Sequence, residues 1–398
     1  MGSEINSPDA LNRRIQSIDI VRGIVMIIMA LDHIRDLMHL PSLTQSPTDL
    51  KTTTLLLFFT RWITYLCAPT FVFLSGASAY LSAKRNISIS KTRDFLLKRG
   101  LWFILLEFTL VNFALWFDFQ FRILMLQVIA AIGAGLIVLS LLLKISPKKI
   151  AIAALFIICT HNLLQFLPPS NNHLLNILLN VLFTPGPQVI SPHFMFFTAY
   201  PLIPWIAIML LGFSCGRMFE QWDRKQMKKM LSFGALALTL FVIIRFLNGY
   251  GDPFHWQQQN DIAYTLLSFF NVTKYPPSLM FDLLFLGIMF LLLAFAEKFP
   301  IRLQRVLSVY GKVPLFYYLL HLYFIRLSIF IMVFAQGFKW KDLLFGPFQF
   351  GRPAAGSGIS LLMVYVVWLI IVILLYPLCK WYGNYKASHS DNKWLRYL

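Results

Sequence analysis

The chain has 398 residues, of which 58% are hydrophobic and only 13% charged, where soluble domains run nearer a quarter charged. That excludes an ordinary soluble globule and predicts an integral membrane protein. The formal net charge of +18 would point to nucleic acid in a soluble chain. No nucleic-acid motif accompanies it, so it is assigned to cytoplasmic loops obeying the positive-inside bias, and no nucleic-acid partner is expected.

The predicted fold is an all-α bundle of about ten transmembrane helices, forming one domain over 1–398 with a polar tail at 1–13 and a C-terminal tail at 383–398. The first sixteen residues lack an apolar signal core, so the first apolar segment is read as a permanent helix. A crossing needs roughly 20 apolar residues. Candidate spans centre on 16–34, 55–82, 100–117, 123–143, 150–167, 196–216, 230–247, 276–296, 310–335 and 358–379. The fifth is short and runs into Pro168-Pro169, and a further apolar stretch at 174–183 is too short to cross.

Lys and Arg gather on alternate connections: Arg13 and Arg14, Lys84 to Arg99, Lys144 to Lys149, Arg217 to Lys229, Lys298 to Lys312 and Lys380 to Arg396. The connections between these are poor in cations. The pattern predicts both termini inside. The outer loops, 35–54, 168–195, 248–275 and 336–357, are longer and carry His39, His173, His193 and Trp256, which makes the outer face the expected docking side for a polar acceptor. Cys67, Cys159, Cys215 and Cys379 are far apart and lie in or beside apolar segments, so buried free thiols are expected and not disulfides or a metal site.

The first span, RIQSIDIVRGIVMIIMALDHIRDLMH (14–39), carries more ionisable groups than a structural helix tolerates cheaply. Asp19, Arg22, Met26, Met29, His33 and Asp36 share one stripe at helical spacing. Asp36 is three residues from His33 and in reach of its ring, and Arg35 is three from Asp32. A carboxylate beside an imidazole orients it as a general base needs. The plainer alternative is a hydrated charge cluster at a helix end. Asp19 and Arg22, nearer the other end, are read as scaffold or gate. His39 lies just beyond, before Pro41, within reach of the same site.

Arg61 and Tyr65 follow in the second span, with Asp32 or Asp36 as the expected partner of Arg61. The run SGASA (75–79) and the GxxxG pair Gly212 and Gly216 are read as close-packing surfaces. Glu107, Asn112 and Asp282 are isolated polar groups within spans. Tyr310, Pro314, Tyr317 and His321 share a stripe in the ninth span, beside Lys312 at its inner end, which predicts either a cavity wall or a histidine satisfied between helices. No zinc motif, Walker loop, nucleophile elbow or dinucleotide fingerprint occurs, and no metal is expected.

The motifs R-x-x-S-x-D-x-x-R-G (from Arg14 to Gly23) and M-A-L-D-H-x-R-D (29–36) resemble the heparan-alpha-glucosaminide N-acetyltransferase-like bacterial membrane proteins, within the transmembrane acyltransferase superfamily. P-T-F-V-F-L-S-G-A-S (69–78), Q-V-I-A-A-I-G (127–133), K-Y-P-P-S-L (274–279) and G-K-V-P-L-F-Y-Y-L-L-H (311–321) are similar to that family as well. The resemblance implies acetyl transfer from acetyl-CoA on the cytoplasmic side to an amine or hydroxyl of a sugar or glycan on the far side. It implies a catalytic histidine, either His33 or His39.

On this reading the catalytic group is His33, Asp32, Asp36, Arg35 and His39, with Arg35 or Arg61 steadying the oxyanion. Acyl-CoA, the only co-substrate expected, is assigned to Lys312, Arg99 and Arg217, with Tyr317 and His321 on the wall of its path. Arg61, Lys274, Tyr275 and Ser278 are assigned to the acceptor. The expected setting is a bacterial inner membrane, with membrane lipids as partners and homo-oligomerisation open. The competing readings are a proton-coupled transporter that uses Asp32, His33 and Asp36 as a relay, and a non-catalytic partner in an envelope-polymer machine.

Overall fold

The computed structural model describes residues 15–85, 88–166, 171–353, 356–389 and 391–396; the polar tail with Arg13 and Arg14, and Pro168-Pro169, lie outside them. The architecture is organised around one helix, α1 (Gln16–Met38), whose 23 residues rise roughly 34 Å, enough to cross a bilayer core. Next come α2 (Leu55–Thr64), capped by the Thr54 hydroxyl, and α3 (Cys67–Arg85). Together they form one candidate span, Leu55–Arg85, which covers the span predicted at 55–82 and is broken near its middle. The break at Tyr65–Leu66 precedes Pro69, which fits a first helical turn because it has no N–H to offer.

Helix α4 (Ile89–Leu106) starts within the basic run at 84–99, which the sequence reading had placed in a loop. It passes through a π-helical turn, Glu107–Val111, into α5 (Asn112–Trp116). Then follow β1 (Ile123–Leu126), α6 (Val128–Leu142), α7 (Pro147–Thr160), α8 (His173–Leu182), β2 (Gly186–Ser191), β3 (Phe194–Thr198) and α9 (Leu202–Cys215). The remaining helices are α10 (Arg224–Leu247), α11 (Ile262–Phe270), α12 (Leu279–Phe295), α13 (Ile301–Gly311), α14 (Pro314–Ala335) and α15 (Leu361–Ser388).

The expectation of an all-α fold is therefore corrected. The chain is mostly helical but holds a three-stranded sheet of order β1-β3-β2, with β1 parallel and β2 antiparallel to β3. Buried Asn112 selects strand over helix at 123–126: its amide donates to the Ile123 carbonyl (2.9 Å) and accepts from the Met125 N–H (3.0 Å). The predicted span at 123–143 thus opens in a strand and leaves a 15-residue helix. The predicted span at 196–216 likewise begins in β3 and becomes helical only at Leu202.

Among the described residues eight helical segments are long and apolar enough to cross a membrane: Leu55–Arg85, Ile89–Trp116, Pro147–Leu164, Leu202–Phe219, Arg224–Leu247, Leu279–Lys298, Pro314–Ala335 and Leu361–Ser388. Helix α1 has the length but carries too many charges to count with them, and α6 is short. Segment α8 is a short helix exposing Leu174, Leu175 and Leu178. The four cysteines are free thiols, but only Cys67 and Cys379 are buried; Cys215 is partly exposed and Cys159 exposed.

Helix α1 packs against α2, α3, α12, α13, α14 and α15, and Ile20, Val21, Val25, Ala30 and Ile34 are fully buried. Its amino-terminal half crosses α13 at glycine contact on both sides. A Cβ on Gly23 would lie 1.9 Å from the Leu307 carbonyl oxygen, and one on Gly311 would lie 1.8 Å from that of Asp19. This explains the glycines of the R-G and G-K-V-P motifs. Since a methyl group there must push two backbones apart, Gly311→Ala is expected to destabilise the protein by about 1–3 kcal/mol, read as a lower midpoint of thermal unfolding in detergent. An unchanged midpoint would contradict the crossing.

The carboxy-terminal end of α1 is pinned by the 336–359 loop. Met38 and Leu40 exchange backbone hydrogen bonds with Ile359, and buried Arg352 donates to the carbonyls of Leu37 and His39 and to the Ser42 hydroxyl. A cation at this end complements the helix dipole and satisfies carbonyls that no later turn can reach.

Candidate active site

The spacing of Asp32, His33, Arg35 and Asp36 on α1 divides their side chains between two environments. Asp32 is buried and accepts from Arg35 Nη2 (2.8 Å) and from Arg61 Nη1 through both oxygens (2.6 and 2.7 Å). Asp36, half-exposed, pairs with Arg35 Nη2 (2.7 Å) and reaches Arg61 Nη1 at 3.5 Å. Two carboxylates and two guanidiniums thus form a closed, neutral quartet that joins α1 to α2. Charges taken out of water are tolerable only with this kind of pairing. The predicted Asp32–Arg35 and Asp32–Arg61 contacts are present. The predicted carboxylate–His33 contact is not: among the described residues no carboxylate hydrogen-bonds to His33, because both acids are turned to arginine.

His33 faces α14 instead. Its ring lies edge-on to His321, with centroids 5.1 Å apart at 77°, and edge-on to Tyr318 at 6.5 Å. His321 is fully buried, and its Nδ1 meets the Tyr317 carbonyl at 3.1 Å. A carbonyl only accepts, so Nδ1 carries the hydrogen and Nε2 holds a lone pair. That Nε2 has no partner among the described residues. Tyr317 stacks on His321 (5.5 Å, 12°), which makes it support for the histidine and not part of an open wall.

Beside the quartet, Tyr65 stands between two cations. The Arg61 guanidinium lies 4.9 Å and the Lys274 ammonium 5.4 Å from its ring centroid, and Lys274 is also 5.0 Å from the Tyr275 ring. Tyr275 hydrogen-bonds to Tyr200 at 3.5 Å. Lys274 and Tyr275 therefore sit with the catalytic candidates. Ser278 is fully buried, caps α12 through the Phe281 N–H (3.0 Å) and donates to Asp252 (2.7 Å). His39 is held by its backbone in the bridge to Ile359. Burial, and then the neighbouring Arg35 and Arg352 guanidiniums, lower the pKa of its imidazole from the usual histidine value.

A cavity of about 400 Å³ lies beside α1, which contributes Arg22 and Met26 to its lining. Arg22, Arg99, Lys312 and Lys386 line it, with Ser75, Ser78 and Ser82 along α3, and none of its described lining residues is acidic. Arg22 donates to the Leu74 carbonyl (3.0 Å) and to Ser78 Oγ, and Arg99 lies over the rings of Phe95 and Phe103. The lining also includes Tyr318, whose ring lies edge-on to His33. One ring, that of Tyr318, is therefore shared between the cavity lining and the surroundings of His33 and His321.

Lys312 and Arg99, sequence candidates for acyl-CoA, line this one cavity, together with Arg22, Ser78, Tyr318 and Lys386, which were not among those candidates. A usable signal existed: Ser75, Ser78 and Ser82 lie on one stripe of α3, and Tyr318 is one turn from His321. Arg217, grouped with Lys312 by its charge alone, lines a second cavity of about 580 Å³ with Tyr80, Lys84 and Glu220, on the other side of α3. Glu107 caps α6 by accepting from the Ala130 N–H (2.9 Å). Among the described residues no group of three or more His, Cys, Asp or Glu is gathered as a metal ion would require.

A family model described as heparan-alpha-glucosaminide N-acetyltransferase, catalytic, matches residues 14–245, more than half of the chain. That range holds His33, the quartet, Arg22 and Arg99. Comparison with curated proteins gives no match.

Proposed function

This chain belongs to the heparan-alpha-glucosaminide N-acetyltransferase catalytic family, and on that premise we propose that it is a membrane-embedded acyltransferase that moves an acetyl group from cytoplasmic acyl-CoA to an amine or hydroxyl of a sugar or glycan on the outer side. The observation that carries this reading is the cation-lined, acid-free cavity whose lining includes Tyr318, edge-on to His33. In this reading the protein has ten spans, including charged α1 and short α6, lies in a bacterial inner membrane and keeps both termini inside.

The pyrophosphate and 3′-phosphate of CoA meet Arg22, Arg99, Lys312 and Lys386, where charge-assisted hydrogen bonds are strongest. The pantetheine arm runs along the serine stripe of α3, and the thioester reaches His33. Neutral His33 takes the proton from the acceptor as its nitrogen or oxygen attacks the carbonyl carbon. The C–S bond then breaks, and the imidazolium returns the proton to the departing thiolate. The quartet holds α1 and α2 together but has no proton to relay, since Asp32 and Asp36 are engaged by Arg35 and Arg61. That geometry disfavours the transporter reading.

The test is transfer of label from radiolabelled acetyl-CoA by the purified protein to a panel of amino sugars and glycans. Acetyl-CoA that neither binds nor stabilises the protein would sink the acyltransferase reading, and proton-coupled uptake in liposomes would establish the transporter in its place. Lys312→Ala and Arg99→Ala are each expected to weaken acetyl-CoA binding by about tenfold or more, measured by calorimetry in nanodiscs, with Arg217→Ala unchanged. Equal effects at all three positions would show diffuse charge attraction, not a site.

A further inference from the structure

The quartet is internally neutral, so Arg35 and Arg61, the cations first placed to steady an oxyanion, are already committed to Asp32 and Asp36. One buried cation beside them is not. Lys274 is 5% exposed, and among the described residues it makes no ion pair with a carboxylate and no hydrogen bond through its ammonium. Its near neighbours are the faces of Tyr65 and Tyr275. It shares the Tyr65 ring with Arg61, which pairs with Asp32, the residue next to His33 on α1. Ring faces offset only part of what an ammonium loses on leaving water, and an uncompensated charge at such depth marks a place where an opposite charge arrives.

We infer that the Lys274 ammonium is the group that neutralises the thioester carbonyl oxygen as it becomes an oxyanion beside His33. The inference rests on the acyltransferase reading. When the acceptor attacks, the carbonyl π pair moves to oxygen, and Lys274 donates a hydrogen bond to the negative charge that forms. When the tetrahedral adduct collapses, that pair re-forms the carbonyl, the C–S bond breaks and the thiolate leaves with the proton held by His33. Lys274 keeps its own proton throughout. A fixed charge aimed at the developing oxyanion favours the transition state over bound substrate, so its loss falls on turnover and spares affinity.

Wild type, Lys274→Met and Lys274→Arg are compared for acetyl-CoA affinity and for the rate of CoA thiol release, with water as acceptor where no sugar in the panel serves. Lys274→Met is expected to lower turnover by about 10²–10³-fold with the acetyl-CoA dissociation constant unchanged, and Lys274→Arg to recover most of that loss. Turnover of Lys274→Met equal to wild type would overturn the assignment, as would equal damage by Met and Arg accompanied by lost binding, which marks a structural role. A measurement on unmodified protein stands beside these. The infrared carbonyl band of bound [1-13C]acetyl-CoA is expected to shift to lower wavenumber than in buffer, and an unshifted band would overturn the inference. Failure of the wild type to bind acetyl-CoA would instead remove the acyltransferase reading itself.

Discussion

Replacing His33 by alanine is expected to cut acetyl transfer by about 10²–10⁴-fold, the range of a positioned general base, while acetyl-CoA affinity stays at its wild-type value. The geometry separates the two effects. His33 is not among the lining residues of the cavity and neighbours it through Tyr318, whereas Arg22, Arg99, Lys312 and Lys386 line it directly. His33 is also outside the charge quartet, so its removal leaves α1 and α2 joined and the fold intact. His39→Ala is expected to retain transfer, because His39 is fixed by its backbone to Ile359 and not directed at His321. Label transfer by the two variants decides the matter: activity in His33→Ala with loss in His39→Ala would move the base to the loop.

The largest effect on stability is expected at Asp32. It is buried and takes hydrogen bonds from both Arg35 and Arg61. Asp32→Ala leaves two arginines sharing one half-exposed carboxylate, and stranding buried charge costs about 3–5 kcal/mol. Asp36→Ala removes an acid that water already screens, and about 1 kcal/mol or less is expected there. The asymmetry is read from thermal unfolding midpoints of the two variants in the same detergent. A paired apolar replacement, Asp32→Leu with Arg61→Met, is expected to restore much of the loss, since the cost lies in the unpaired charge more than in the absence of the pair. Equal midpoints for Asp32→Ala and Asp36→Ala would contradict the buried quartet.

The central helix was legible in the chain because its charges recur at helical spacing in an otherwise apolar run, a pattern that demands partners. The Asp32–Arg35 pair and the Arg61 partner followed from that spacing and from adjacency along the chain. What surrounds His33 did not. The i,i+3 relation to Asp36 is a statement about one helix, and two arginines outcompete an imidazole for a carboxylate. His321 and Tyr318 come from α14, far along the chain, and spacing alone carries no information about which helices meet. The strand at 123–126 was hidden for a different reason: Ile-Leu-Met-Leu reads equally well as helix or strand, and the Asn112 amide that decides it lies in another element. Arg99 and Arg217 look alike in a charge count, yet α3 separates the cavities they line. The start of α4 was missed because a basic run was read as loop, although lysine and arginine are good helix formers.

The measurement that bears most directly on this account is a cryo-electron microscopy structure of the protein in nanodiscs with CoA. The account predicts the nucleotide phosphates against Arg99 and Lys312, and the thiol end beyond the serine stripe, beside Tyr318 and facing His33. CoA seated in the second cavity with Arg217 and Lys84, or a thiol end directed away from His33, would contradict it.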